Sequence, residues 1–294
     1  MDNDLSFWLW FHKVKGIKSN DFKLMESYFK TLQHAWSANK EELKISGLHT
    51  SIINEILINR TKERPSEEEE RLLRYGIQAV TWNSKIFPRK LKTLPEPPPI
   101  LYFKGDLSLL SRPIISIIGS KDTTAYAKEV TVKLVTDMIK HKYLFIGGLS
   151  KGVDTISHKT SLLDQVGTIG ILPGGVDIIH PPENLDLARQ IEKQGLLFSE
   201  HPVGKRSTQK YAVQTGRLIT QMSQACILVE SPETSDSLSI ALNAVEQNIP
   251  LFAVPGNIFA SKSRGPNSLI INRKAKPLIH FEDVTKYLRL DDFR

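Results

Sequence analysis

The sequence predicts a doubly wound α/β fold with a mainly parallel sheet, preceded by a small helical domain, and three observations support this prediction. From about residue 112 onward, short apolar runs, glycine-bearing loops and helical segments follow one another in turn. The apolar runs do not alternate with polar residues, which is typical of strands buried on both faces by helices. The segments between them carry apolar residues at helical spacing, such as Val130, Leu134 and Met138.

The predicted domain boundary separates a helical domain, residues 1–75, from the α/β domain, residues 76–294. Two glycine turns in the helical part, at residues 14–17 and 45–48, resemble those of helix-hairpin-helix units. In such units the backbone amides approach a phosphate. The alternative, a plain helical packing module with glycine C-caps, is favoured for either turn taken alone.

The strands of the α/β domain are assigned to the continuous apolar runs. They are predicted over residues 114–118, 143–146, 168–172, 196–199, 226–229 and 251–254, with a last strand near residues 278–279. A helix is predicted over residues 237–247. Because ligands of open parallel sheets bind at the carboxyl ends of the strands, the loops that follow these strands are the candidate site.

The composition is that of an ordinary globular protein, with 40% hydrophobic and 24% charged residues among 294. The formal net charge of +7 is compatible with a polyanionic partner, although many basic proteins bind no nucleic acid. The single cysteine, Cys226, lies in a predicted strand, so we expect neither an internal disulfide nor a cysteine metal site. No apolar run approaches the ~18 residues of a membrane span, so we expect a cytoplasmic protein without a membrane partner.

Three glycine-bearing loops follow consecutive predicted strands. Their glycines let the backbone approach an anion, a serine can cap the next helix or bind a phosphate oxygen, and a lysine adds charge beside the helix dipole. The residues assigned here to a phosphate site are Gly119, Ser120, Lys121, Gly148, Lys151, Gly152, Gly174 and Gly175. Tight strand-to-helix turns need glycines too, but three such loops at one edge of a sheet favour a phosphate-containing ligand.

No catalytic residue, metal site or cofactor is assigned. Neither the Gly-x-Gly-x-x-Gly pattern nor a Walker lysine–serine loop is present, so neither a nicotinamide cofactor nor ATPase activity is supported. Asp154 and His158 lie one helical turn apart and could form an acid–base pair. Since no nucleophile lies near them in the sequence, a structural histidine is the favoured interpretation.

The loop motifs match, in order and spacing, those of a known family over roughly residues 80–275. The matching segments are residues 117–121, 147–154 with His158, 172–177, 181–184, 199–200, 217–219, 235–238, 252–256 and 264–267. In these segments the chain resembles the DprA/Smf family of DNA-processing proteins. The helices that precede them also look like that family's N-terminal module.

This resemblance implies an extended Rossmann-like fold and a function without catalysis. Members of the family are single-stranded DNA-binding homodimers that protect incoming DNA and hand it to RecA during natural transformation. By resemblance, the glycine loops bind DNA phosphates, Arg217 adds a contact from a later helix, and Ser235 and Ser237 bind phosphate at a later turn. Candidate aromatic surfaces for base stacking are Tyr126, Tyr211 and Phe259.

The sequence departs from the family pattern at four positions of the proposed site. Lys121 replaces an arginine, which keeps the charge but loses the bidentate fork. Thr215 and Gly216 replace an arginine and an asparagine, and Asp236 replaces a glycine. Each lost phosphate contact lowers affinity and flattens its salt dependence. We therefore expect weaker DNA binding, or a changed ligand within the same superfamily.

Two other functions remain open at this level. A nucleotide phosphoribohydrolase of the lysine-decarboxylase-like type shares the fold and a Pro-Gly-Gly turn, but it needs Gly-Thr and a catalytic glutamate beyond that turn. Here the turn continues as Val176, Asp177 and Ile178, which disfavours the enzyme. A nucleotide-binding sensor is the other alternative, and the altered pocket residues are its only support.

Overall fold

The structure is a computed structural model that describes residues 4–291, with residues 290 and 291 described by their backbone alone. The chain forms two compact units. The first comprises the residues up to Phe103 together with Gly175–Asp177 and Ser199–Lys205. The second comprises Lys104–Gly174, Ile178–Phe198 and the residues from Arg206 onward.

The first unit consists mainly of short helices. In chain order its elements are α1 (Leu5–Lys13), α2 (Ser19–Phe29), α3 (Leu32–Ser37), α4 (Lys40–Ile45), α5 (Thr50–Arg60), α6 (Pro65–Arg74), β1 (Gln78–Thr81), α7 (Arg89–Lys92) and β2 (Ile100–Gly105). Strands β1 and β2 pair antiparallel, with Thr81 opposite Ile100. Gly16 and Gly47, which follow α1 and α4, adopt φ angles of 86° and 89°, the left-handed conformation that commonly ends helices.

Aromatic rings and a buried ion pair hold the first unit together. Trp8 stacks on Phe22 with ring centroids 5.3 Å apart and meets Trp82 edge-on at 5.7 Å. Lys13 Nζ lies 2.6 Å from a carboxylate oxygen of Glu63 and 2.5 Å from one of Glu68. Because Glu68 is almost fully buried, this lysine supplies the opposite charge that a carboxylate needs away from water.

The second unit contains a parallel sheet between helices. Its main elements are β3 (Ile114–Ile118), α8 (Ala125–Lys140), β4 (Leu144–Gly147), α9 (Val153–Leu163), β5 (Ile169–Ile171), α10 (Leu185–Gln194), β6 (Leu196–Ser199), α11 (Gln209–Met222), β7 (Ala225–Leu228), α12 (Asp236–Glu246), β8 (Leu251–Ala253), α13 (Arg264–Ile271), β9 (Lys276–Pro277) and α14 (Phe281–Asp291). Single 3₁₀ turns lie at Leu107–Ser111, Pro182–Asn184 and Ser261–Ser263. The chain crosses from the first unit into the second within β2.

The seven strands of the second unit stand in the order β6-β5-β4-β3-β7-β8-β9, and their neighbouring pairs are parallel. The chain first builds outward from β3 to β6 and then returns to place β7 on the other side of β3. This reversal defines a doubly wound sheet and puts a crevice at the carboxyl ends of β3 and β7. The predicted α/β fold is confirmed.

Both faces of this sheet are buried, as the continuous apolar runs predict. Ile115 and Ile117 of β3 pack into a core with Phe145 and the helices α8 and α14. Ile118 packs on the opposite face, in a cluster that includes Cys226 and residues of α12 and α13. The six main strands lie within one or two residues of their predicted bounds, while the last, β9, begins two residues before the predicted position.

Among the helices of residues 4–291, none combines the length and apolar character that a membrane span requires.

Replacing Phe145 by alanine should destabilise the protein by about 3–5 kcal/mol, because the ring is fully buried in the core and its removal leaves a cavity. The matched control is Leu163→Ala at the end of α9, where the side chain is 82% exposed and the change should stay within about 0.5 kcal/mol. Urea unfolding followed by circular dichroism measures both. Equal effects of the two substitutions would contradict the assigned core.

Candidate nucleic-acid interface

A cavity of about 250 Å³ opens in the second unit at the carboxyl ends of the strands, where the strand order reverses. Aliphatic side chains from strands and helices form most of its wall: Ile117, Ile118, Ile171, Ala212, Ile219 and Ile240. The polar and charged residues that line it are Lys121, Ser150, Lys151, Asp154, His180, Thr215 and Asp236. A mostly apolar wall with a few polar groups is typical of a ligand site.

The loop between β3 and α8 is shaped by its own hydrogen bonds. Ser120 is buried, and its Oγ accepts from the Asp122 N–H at 3.2 Å and donates to the Asp122 carbonyl at 3.0 Å. Thr124 caps α8, since its Oγ1 accepts from the Ala127 N–H at 3.1 Å. The helix-capping role considered for the loop serine thus belongs to Thr124.

Glu230, two residues after the end of β7, holds the loop between β3 and α8 in place and was not among the residues predicted from the sequence. It is 3% exposed, and its Oε1 accepts from Thr124 Oγ1 at 2.6 Å. Lys262 also contacts this loop, since its Nζ donates to the Asp122 carbonyl. The signal that could have revealed Glu230 is a carboxylate directly after an apolar strand, at the edge where the loops converge.

The loop between β4 and α9 meets the preceding loop through its glycine. Gly152 has φ +75°, and a Cβ at this position would clash with the carbonyl oxygens of Ser120 and Lys121. The next residue, Val153, donates its N–H to the Ser120 carbonyl at 3.2 Å. Only glycine permits this approach, which brings Lys121 and Lys151 to the same cavity.

Asp154 and His158 bind other groups rather than each other. Asp154 Oδ2 accepts from the Ser150 N–H at 3.1 Å and from Ser150 Oγ at 2.6 Å, and burial raises the pKa of this carboxyl. His158 is fully buried, with Nε2 2.7 Å from the Gly148 carbonyl and Nδ1 2.8 Å from Thr168 Oγ1. Burial lowers its pKa to about 4, so the imidazole is neutral and serves as a structural bridge.

The two lysines of the cavity are each paired with a carboxylate. Lys121 Nζ lies 3.0 Å from Asp236 Oδ2, and Lys151 Nζ lies 2.6 Å from Glu183 Oε1. Hydrogen bonding to these lysines lowers the pKa of both carboxyls. The side chain of Gln209 also donates to Asp236 Oδ1 at 3.2 Å.

The remaining predicted residues have different positions. Gly174 belongs to the second unit, whereas Gly175 belongs to the first, where its N–H donates to the Lys205 carbonyl at 2.8 Å. On α11 the cavity is lined by Thr215, while Arg217 lies two residues further along the helix, outside that lining. Thr215 Oγ1 is buried without a hydrogen-bond partner among residues 4–291.

Ser235 and Ser237 also lie outside the lining, in a hydroxyl cluster beneath it. Their Oγ atoms are 3.0 Å apart and lie 2.6 Å and 2.9 Å from Ser231 Oγ. Ser235 caps α12 by accepting from the Leu238 N–H at 3.2 Å. The cluster fixes the start of α12, and Asp236 between the two serines is the residue that reaches the cavity.

No group of three or more His, Cys, Asp or Glu within the part of the chain that the structure describes is arranged to hold a metal ion.

Comparison with known proteins identifies the family. The family model described as DNA recombination-mediator protein A matches residues 78–289. The chain belongs to this family. It is 36% identical over 214 residues to DNA processing protein DprA of Bacillus subtilis, covering 72% of each chain. It is 30% identical over 276 residues to protein Smf of Synechocystis, covering 92% of this chain and 69% of the relative.

Two solved structures share the fold. DNA processing protein A of Streptococcus pneumoniae superposes with a TM-score of 0.83 at 22% identity, over 96% of this chain and 97% of its own. DNA processing protein A of Helicobacter pylori, whose structure was reported for its single-stranded DNA binding mode, superposes with a TM-score of 0.66 at 28% identity. That match covers 74% of this chain and 98% of the relative.

The buried neutral imidazole predicts a loss of stability in mild acid. Because the unfolded chain takes up a proton near pH 6.5 and the folded His158 only near pH 4, the free energy of unfolding should fall as pH decreases between these values. From pH 7.5 to pH 5.0 this residue should account for about 2 kcal/mol of that fall. In His158→Gln the pH dependence should be shallower by this amount, as measured by urea unfolding at the two values.

The control for this measurement is His280→Gln, whose side chain is exposed in the same unit. It should reproduce the pH dependence of the wild type. An unchanged slope in His158→Gln would mean that the imidazole is not held neutral in the folded protein.

Proposed function

We propose that this protein binds single-stranded DNA through the strand's phosphates at the cavity of the second unit and carries out no chemistry on it. The observation that carries the proposal is that Lys121 and Lys151, from two consecutive strand-to-helix loops, line one cavity with the backbone of Gly148. Both lysine side chains are more than half exposed and can reach a ligand. Membership of the DNA recombination-mediator protein A family supports the same function.

Within this proposal the predicted residues have distinct roles. The two lysines contact phosphates directly, and Gly148 on the cavity wall lets the backbone approach the DNA. Gly119 and Gly152 let the first loop and the start of α9 pack together. Ser120 shapes the first loop. The proposed contribution of the last turn is indirect, since Ser235 and Ser237 fix the start of α12.

Three further proposed contacts come from the edges of the site. Arg217, on α11, would contact a DNA phosphate that lies outside the cavity. Gly174 would let the DNA backbone pass close to the third loop. Phe259 is 89% exposed and offers a ring for base stacking.

The absence of catalysis is part of the proposal and is supported by the hydrogen bonds of Asp154 and His158, the candidate acid–base pair. Asp154 is occupied by Ser150, and His158 is held neutral between a carbonyl and a hydroxyl. We further propose, from the family resemblance, a cytoplasmic homodimer that delivers its strand to RecA. Light scattering in solution and pull-down of purified RecA with and without single-stranded DNA test these two points.

Lys121→Glu should weaken binding of a labelled oligothymidylate by about ten- to hundredfold, because one charge-assisted contact is lost and a repulsive charge takes its place. Fluorescence anisotropy across a salt series measures the affinity and its salt dependence. Lys193→Glu on α10, which changes the net charge equally at an exposed position outside the cavity, is the matched control. It should bind nearly as the wild type does.

Two outcomes would contradict the proposal: equal affinity for single- and double-stranded oligonucleotides, or equal effects of the two lysine substitutions. A nucleotide-hydrolysis assay on the same preparation tests the phosphoribohydrolase alternative. If the wild type releases free base from a nucleotide and Lys121→Glu does not, the protein is an enzyme instead.

A further inference from the structure

The mouth of the cavity carries as many carboxylates as ammonium groups. Lys121 is held by Asp236, and Lys151 is held by Glu183, in pairs that span different elements of the second unit. Gln209 fixes the second oxygen of Asp236, so this carboxylate is positioned from two sides. A phosphate that approaches either lysine therefore meets a lysine that is already hydrogen-bonded to an anion.

We propose that Asp236 and Glu183 are intramolecular competitors of the ligand phosphates, which lower the affinity of the site and shorten the lifetime of the bound complex. This inference rests on the proposed function, because it concerns the phosphates of the bound strand. It adds two acidic residues to the site and gives them a role opposite to that of the lysines.

The competition follows from the chemistry of the groups. A carboxylate and a phosphate accept the same charge-assisted hydrogen bonds from an ammonium group. When a phosphate binds Lys121, the Asp236 carboxylate loses its hydrogen bond to this lysine. It remains close to the phosphate, and the two negative charges repel each other. When the phosphate moves away, the carboxylate recaptures the lysine without diffusing, because both belong to one folded unit.

The exposure of the two lysine–carboxylate pairs to water determines how much they lower the affinity for phosphate. The Lys121 and Asp236 side chains are 60% and 25% exposed, and those of Lys151 and Glu183 are 57% and 62% exposed. Ion pairs this accessible to water are weak, so a phosphate can displace either carboxylate at a cost of a few-fold in affinity. The other carboxylate on the wall, Asp154, already accepts two hydrogen bonds from Ser150, and it is not such a competitor.

The test compares the isosteric variants Asp236→Asn and Glu183→Gln with the wild type, using the full chain and a fluorescein-labelled oligothymidylate. Each variant should bind about two- to fivefold more tightly, with most of the change in the dissociation rate measured by stopped flow. The slope of log affinity against log salt should steepen by about 0.7 for each lysine released. Circular dichroism confirms that the variants are folded.

A double-mutant cycle separates local competition from general charge. Asp236→Asn should have a markedly smaller effect in a Lys121→Gln background, because the lysine that it frees is missing and only the repulsion between carboxylate and phosphate is removed. The control is Asp186→Asn, which removes a more exposed carboxylate paired with Arg189 at 3.1 Å and outside the cavity lining. It should leave binding unchanged.

The outcomes distinguish this inference from the function on which it rests. If the wild type binds the strand but neither variant binds more tightly, the competition is refuted and the DNA-binding function stands. A gain that is equally large without Lys121, or that Asp186→Asn reproduces, would also refute it in favour of net charge. If no protein in the series binds the strand, the proposed function itself fails.

Discussion

The close approach of two backbone loops determines the geometry of the site. Gly152 lies so near the carbonyl oxygens of Ser120 and Lys121 that no side chain fits between them, and the neighbouring Val153 N–H donates to the first of these carbonyls. Two loops from adjacent parallel strands thereby act as one surface. Lys121 and Lys151 line one cavity because the backbones of their loops pack against each other and share a hydrogen bond.

The ionisable groups of this edge fall into two classes by burial. Glu230 and His158 are buried and Asp154 is partly buried, and each is hydrogen-bonded to a neighbouring loop or cap. A buried polar group costs free energy unless it is paired, so these residues hold the loops in place. The exposed pairs at the cavity mouth bind weakly and can be exchanged for other partners. The same residue types therefore keep the loops rigid where they are buried and form exchangeable ion pairs where they are exposed.

The sheet could be predicted from the sequence because its signal is local. Continuous apolar runs of four or five residues between glycine loops identify strands buried on both faces, and the structure has strands at those positions. The positions of the glycine loops are equally local, since their glycines stand at or shortly after the ends of the strands in the sequence. The parallel order and its reversal at β3 then place those loops at one edge.

The pairing of the charges could not be predicted, because it depends on contacts between distant segments. Lys121 and Asp236 are far apart in the sequence, and only the position of α12 beside the first loop brings them to 3.0 Å. Which residues of α11 face the cavity could not be predicted either, because this depends on how the helix packs against the sheet. Residues two apart on a helix point to nearly opposite sides, so Thr215 lines the cavity and Arg217 does not, although both belong to one motif.

The net charge of the chain and the charge of the site therefore act at different ranges. A formal charge of +7 attracts a polyanion over roughly the 10 Å on which salt leaves charges unscreened, and it raises the rate of encounter. At contact, the Asp236 and Glu183 carboxylates balance the two lysines, so the lifetime of a complex depends on local exchange of partners. A basic protein with a charge-balanced site can capture a strand quickly and still release it.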